Sequence, residues 1–143
     1  LTDIMGRFRH FGLDMFGFMS SLNGVVVQRL VRQLCTHCVT HRPATAREQE
    51  WLARKGQPQA RTVPVAVGCE HCHGAGYRGR FVVAEVHAVD NGLRDLVTER
   101  APLSELEAYA DTQGVVSLSV LAAQHVVAAK TSIEEVKRVV GWL

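Results

Sequence analysis

No stretch of this 143-residue sequence is long and apolar enough to suggest a membrane-spanning helix. Such a helix needs roughly 18 to 20 residues, and the nearest candidate, Val115 to Ala129, is broken by Ser117, Ser119, Gln124 and His125. A phosphate-cradling loop ending in Gly-Lys-Ser/Thr is also missing: Lys55, Lys130 and Lys137 are the only lysines, and none follows a glycine. The stretch therefore cannot hydrolyse nucleotide by that route. It has no Gly-x-Ser-x-Gly turn and no His-Glu-x-x-His pair, and its carboxylates show no acid/base spacing, so no catalytic residue is assigned. Glu105, Glu107, Glu134 and Glu135 read as solvated helix faces. The chain starts without methionine and carries no leader, from which we expect an internal or C-terminal fragment of a larger cytoplasmic protein. Prolines number only 4, and 47% hydrophobic with 21% charged residues suffices for one buried core, which excludes disorder and collagen.

An excess of one charge is lacking too: 16 basic against 14 acidic residues give +2, too balanced to imply a nucleic-acid or membrane binder from the total. The distribution is uneven. Residues 29–80 carry nine basic and three acidic side chains, whereas residues 81–143 carry five and nine. All four cysteines fall in the basic stretch, and none is left over.

They form two pairs, Cys35-Thr36-His37-Cys38 and Cys69-Glu70-His71-Cys72, with 30 residues between. A Cys-x-x-Cys turn puts two sulfurs on one side of a tight loop, and two facing turns offer zinc four thiolates in a tetrahedron. Cys35, Cys38, Cys69 and Cys72 are therefore the candidate metal ligands. A disulfide or a redox Cys-x-x-Cys is the competing reading, although cytosolic disulfides are rare and a thioredoxin-like site needs one reactive pair. One of His37, His41, His71 and His73 could replace a cysteine as ligand, but with four thiolates at hand they are expected around the ligands, as donors to them or as exposed side chains. Gly74, Gly76 and Gly79 suit a knuckle that needs positive φ and N–H groups turned toward sulfur.

The segment Val25 to Leu34 reads as a strand entering the first pair, and Phe81 to Val89 as a strand leaving the second. Paired antiparallel, they bring both turns to one end, with residues 35–80 as an insertion at the tip. Thr45-Ala46-Arg47-Glu48 is a capping box for a short helix stopped by Gly56, and Thr62 to Val67 is an extended segment that Pro64 limits to an edge. Asp90, Pro102 and the second capping box Ser132-Ile133-Glu134-Glu135 start helices further on. Leu118, Leu121, Ala122, His125, Val126 and Ala129 would form one apolar helix face, with His125 a core histidine. The apolar N-terminal run (Ile4, Met5, Phe8, Phe11, Met15, Phe16, Phe18, Met19) reads as core helix, the alternative being a surface that packs on a neighbouring domain. The expected fold class is α+β: an antiparallel strand pair with a zinc-binding insertion at its tip, packed on a C-terminal bundle of short helices. Chelation should then unfold residues 35–80 and spare those helices.

The order of strand, Cys-x-x-Cys, insertion, Gly68-Cys69-Glu70-His71-Cys72-His73-Gly74-Ala75-Gly76-Tyr77-Arg78-Gly79-Arg80, strand and helices resembles the C-terminal part of the type II secretion and type IV pilus assembly ATPases, the GspE/PilB family. Val25 to Cys35 and Thr131 to Val136 carry the same likeness. The resemblance implies that residues 1–34 end a motor domain, residues 35–80 are a tetracysteine zinc-binding insertion, and residues 81–143 are the returning strand and helical region. It implies a structural Zn²⁺ on Cys35, Cys38, Cys69 and Cys72, with ATP and Mg²⁺ bound only in an upstream domain. It further implies a homo-hexameric parent, cytoplasmic and peripheral to the inner membrane, that docks to platform proteins there. Arg42, Arg47, Arg54, Lys55, Arg61, Arg78 and Arg80 would meet an acidic partner or anionic lipid headgroups, or merely form a solvated face. No specific nucleic acid is expected. Zinc-ribbon nucleic-acid binding and thiol redox chemistry are the alternative functions.

Overall fold

The computed structural model describes residues 6–7 and 14–141. The fold is α+β, as expected. Its described elements are α1 (Met15–Ser21), β1 (Gly24–Leu34), β2 (Thr40–Pro43), α2 (Ala46–Arg54), β3 (Thr62–Val65), a 3₁₀ turn (Glu70–Cys72), β4 (Tyr77–Ala88), α3 (Asn91–Thr98), α4 (Leu103–Thr112), α5 (Leu118–Val127) and α6 (Ile133–Val139). None of the described helices is long and apolar enough to cross a membrane.

β1 and β4 pair with each other. Val89 N–H donates to the Asn23 carbonyl (3.0 Å) past one end and Cys35 N–H to the Gly76 carbonyl (3.0 Å) past the other, so the pair is antiparallel. Both cysteine turns consequently arrive at one end. β4 begins four residues before the expected Phe81, because Gly79 at φ +81° lets the glycine-rich run enter the strand. Along β1, Val25 and Val31 are buried while Val26 and Leu30 are exposed, the alternation of a strand with one covered face.

The chain forms two compact units: residues up to Val27 with Glu85–Val116, and Gln28–Ala84 with the residues from Ser117 onward. In the first, Met19, Val25, Val89, Leu93, Val97 and Leu106 make the core. Asp90 accepts from Leu93 N–H (2.9 Å) at the start of α3, and Tyr109 donates its hydroxyl proton to the same carboxylate (2.7 Å). Of the apolar N-terminal run, Met19 is buried, Phe18 packs against that core and Phe16 is exposed. Ile4, Met5, Phe8 and Phe11, and the side chain of Met15, lie outside the described residues.

In the second unit, β2 pairs antiparallel with β3, Arg42 opposite Val63 and Pro43 opposite Thr62. The extended segment at Thr62 thus has a partner that the sequence reading missed, since Thr-His-Arg-Pro carries no apolar alternation. Thr45 and Glu48 form the expected capping box, and Gly56 at φ +77° ends the helix. Trp51 and Leu52 of α2 and Val63 of β3 share one core with Ala122, Ala123 and Val126 of α5 and Ile133 and Val136 of α6. The buried face of α5 keeps Leu118, Ala122 and Val126 of the expected one but is rotated toward Ser119 and Ala123: Leu121 and His125 are only half-buried, and Ala129 at φ +53° lies past the helix end. His125 meets Phe81 edge-on, with ring centroids 4.8 Å apart.

Candidate metal centre

The two knuckles are built alike. Cys38 N–H donates to the Cys35 carbonyl and Cys72 N–H to the Cys69 carbonyl, each at 3.2 Å, which folds each pair of sulfurs onto one side. Across the knuckles, Cys35 Sγ lies 3.9 Å from Cys69 Sγ and Cys38 Sγ 3.8 Å from Cys72 Sγ; within the second, Cys69 and Cys72 are 3.8 Å apart. All four sulfurs lie within 4.8 Å of one another, and no other such cluster occurs among the described residues. A disulfide requires about 2.0 Å, and all four cysteines are free. A tetrahedron with zinc–sulfur bonds of about 2.3 Å has sulfur–sulfur edges of about 3.8 Å. The spacing therefore fits a four-thiolate cation.

Backbone N–H groups turn toward the sulfurs as the glycines led us to expect. Gly68 donates to Cys38 Sγ (3.3 Å), Cys69 to Cys72 Sγ (3.2 Å) and Gly76 to Cys72 Sγ (3.1 Å). Burial alone would push the Cys72 thiol up, but the N–H groups of Cys69 and Gly76 and the neighbouring thiols bring it down to about 6. Burial and crowding by the other three cysteines push Cys38 up to about 12, against the pull of Gly68 N–H. The N–H donors thus favour the thiolate at Cys72, whereas burial and the other cysteines oppose it at Cys38. Two glycines are sterically required. A Cβ on Gly68 (φ +108°) would stand 2.5 Å from the Gly74 carbonyl oxygen, and one on Gly76 (φ +73°) 2.7 Å from Ala66 Cβ.

His37 and His71, the third residues of the two pairs, are exposed and stack on each other with ring centroids 3.9 Å apart. His41 and His73 are exposed as well. The structure thus places these four outside the sulfur cluster.

The seven expected surface cations divide. Arg42 is taken up internally: its guanidinium donates twice to Glu48 (2.8 Å each) and once to Glu134 (3.1 Å). Arg54 pairs with Glu50 at 3.4 Å, and Arg61 donates to the Pro58 carbonyl. Arg47, Arg54, Arg61, Arg78 and Arg80 are exposed and Lys55 half-buried.

Glu135 is not part of a solvated face but fully buried. Its carboxylate accepts from Arg32 N–H (3.0 Å), Arg32 Nε (2.8 Å), Arg138 Nε (2.8 Å) and Arg138 Nη2 (2.6 Å). Only the Ser132 half of the second capping box forms, because these arginines claim the carboxylate. The Arg32 guanidinium also lies 4.1 Å over the Tyr77 ring, whose hydroxyl shares a 2.6 Å hydrogen bond with Ser132. Sequence reasoning missed this group, since its members are far apart in the chain.

Fold and site together define a small α+β chain built around a tetracysteine knuckle. The chain matches the type II/IV secretion system protein family over residues 2–138 and belongs to it. It is 36% identical over 137 residues to the type IV pilus assembly ATPase TfpB of Acinetobacter baylyi, covering 94% of this chain and 23% of that protein. It is 35% identical over 133 residues to the putative type II secretion system protein E of Escherichia coli (93% and 27%) and 33% over 136 residues to the type IV pilus assembly ATPase PilB of Myxococcus xanthus (92% and 24%). The chain therefore spans about a quarter of the length of these relatives.

Proposed function

We propose that this chain is the non-catalytic, zinc-binding C-terminal part of an ATPase that powers type II secretion or type IV pilus assembly. In this reading Cys35, Cys38, Cys69 and Cys72 hold one Zn²⁺ within an insertion at residues 35–80. The observation that carries it is four sulfurs within 4.8 Å of one another, three of whose separations, at 3.8–3.9 Å, match the edge of a four-thiolate tetrahedron. Four thiolates leave zinc no open position, so its contribution when bound is to hold the two knuckles together. Nucleotide and Mg²⁺ belong to other parts of the full-length protein, which is a cytoplasmic hexamer that docks on the inner-membrane platform.

Two features favour this over a nucleic-acid-binding ribbon. Base stacking needs free aromatic rings beside the cations. The two aromatics between residues 29 and 80 are committed: Trp51 is buried in the core, and Tyr77 lies under Arg32.

Metal analysis of the purified protein tests the site: one zinc per chain is expected, and Cys69→Ser with Cys72→Ser should abolish it. A protein that carries no zinc and takes up none when its thiols are reduced overturns the proposal.

A further inference from the structure

We propose that Arg32, Tyr77, Ser132 and Glu135 form a latch that ties metal occupancy of the sulfur site to the start of α6. These are positioning residues for the knuckles, and the inference rests on the zinc reading above. Tyr77 directly follows Gly76, whose N–H donates to Cys72 Sγ (3.1 Å) and whose carbonyl accepts from Cys35 N–H (3.0 Å). Gly76 is also wedged against Ala66, where no Cβ would fit. The sulfur cluster therefore sets where the Tyr77 ring is held.

From that ring the contacts close on themselves. The Tyr77 hydroxyl meets Ser132 Oγ at 2.6 Å, Ser132 Oγ accepts from Glu135 N–H at 3.2 Å, the Glu135 carboxylate binds Arg32, and the Arg32 guanidinium lies over the Tyr77 ring at 4.1 Å. Ser132 and Glu135 are fully buried, so loosening one contact leaves polar groups without water to replace it. A second line of bonds fastens β1 beside the cluster: Thr131 Oγ1 donates to the Arg32 carbonyl (2.9 Å) and Leu34 N–H to the Lys130 carbonyl (3.0 Å). Loss of the cation removes the bonds that join the two knuckles, lets them separate and frees Gly76 from Cys72. From Gly76 the displacement reaches Ser132 directly through the Tyr77 side chain. Such coupling is reciprocal: to the extent that zinc steadies the α6 start, the latch tightens zinc binding.

The test uses the full-length protein loaded with zinc, following metal transfer to a chromogenic chelator and amide exchange at Glu135. Tyr77→Phe keeps the ring under Arg32 and removes only the hydroxyl; Glu135→Gln is the stronger variant. Both should bind zinc about fivefold more weakly or worse in equilibrium competition with the chelator, and zinc removal from the unaltered protein should speed exchange of the Glu135 N–H. Tyr109→Phe, which deletes a comparable hydroxyl bond to Asp90 in the other unit, should bind zinc with unaltered affinity. Unaltered affinity in Tyr77→Phe and Glu135→Gln, with Glu135 exchange indifferent to zinc, overturns the latch and leaves the zinc site standing. Failure to bind zinc at all overturns the zinc reading and the latch with it.

Discussion

Glu48 and Glu135 are carboxylates that folding removes from water, at 3% and 0% exposure. Arg42, hydrogen-bonded in two places, holds Glu48 down to about 2 from an ordinary 4.5, against the opposing effect of burial. At Glu135 burial is the largest influence and pushes upward, but Arg138 and Arg32 together outweigh it and bring the group to about 2. Each folded value lies below the unfolded one, so the stability each contributes is present above about pH 4.5 and is lost as pH falls toward 2. A drop from 4.5 to about 2 corresponds to roughly 3 kcal/mol per carboxylate. Chemical denaturation between pH 5 and pH 2 should show that decline, and Glu48→Gln should reduce it; constant stability across the interval would contradict the pairing. The two sites differ in how far the sequence discloses them. Thr45 and Glu48 lie three residues apart, so the capping box is a local pattern. Glu135 meets Arg32 across 103 residues, and nothing in its own neighbourhood distinguishes it from a solvated helix glutamate.

At the scale of elements, β1, β4 and α2 were legible because each has a local cause: β-branched alternation, or a cap at one end and a glycine at the other. β2 was not, because Thr40–Pro43 is a strand only by virtue of its partner β3. The face of α5 was displaced for a similar reason, since Ala122 and Ala123 are buried by what packs on them rather than by their own hydrophobicity. That shared core changes what metal removal should do. Trp51, Leu52 and Val63 are anchored by α5 and α6 with no sulfur involved, so the insertion does not stand or fall as one piece. Hydrogen exchange after chelation should show lost protection at residues 35–38 and 66–76, with α2 and the β2–β3 hairpin still protected. Collapse of protection throughout residues 35–80 would show that the core cannot hold without the metal.

Across the whole molecule, charge follows the two units. The stretches up to Val27 and Glu85–Val116 hold four basic and nine acidic residues; Gln28–Ala84 and Ser117 onward hold twelve and five. The second unit is thus the basic one, and its exposed Arg54 and Lys55 beside it are available to an anionic surface, the Arg54–Glu50 pair being too exposed to hold them back. Reversing both to glutamate in the full-length protein should reduce its recovery with inner membranes at low salt, an effect that fades as salt is raised. Unchanged recovery would remove this surface from the docking proposal and leave the sulfur site untouched. One feature of the knuckles offers a gauge for all such experiments. His37 and His71 precede Cys38 and Cys72, one in each knuckle, and their rings face each other at 3.9 Å with planes 21° apart. Each imidazole lies within the shielding cone of the other, so both should give upfield-displaced ring proton resonances in a magnetic resonance spectrum. The pair reports the distance between the knuckles without a label on any sulfur.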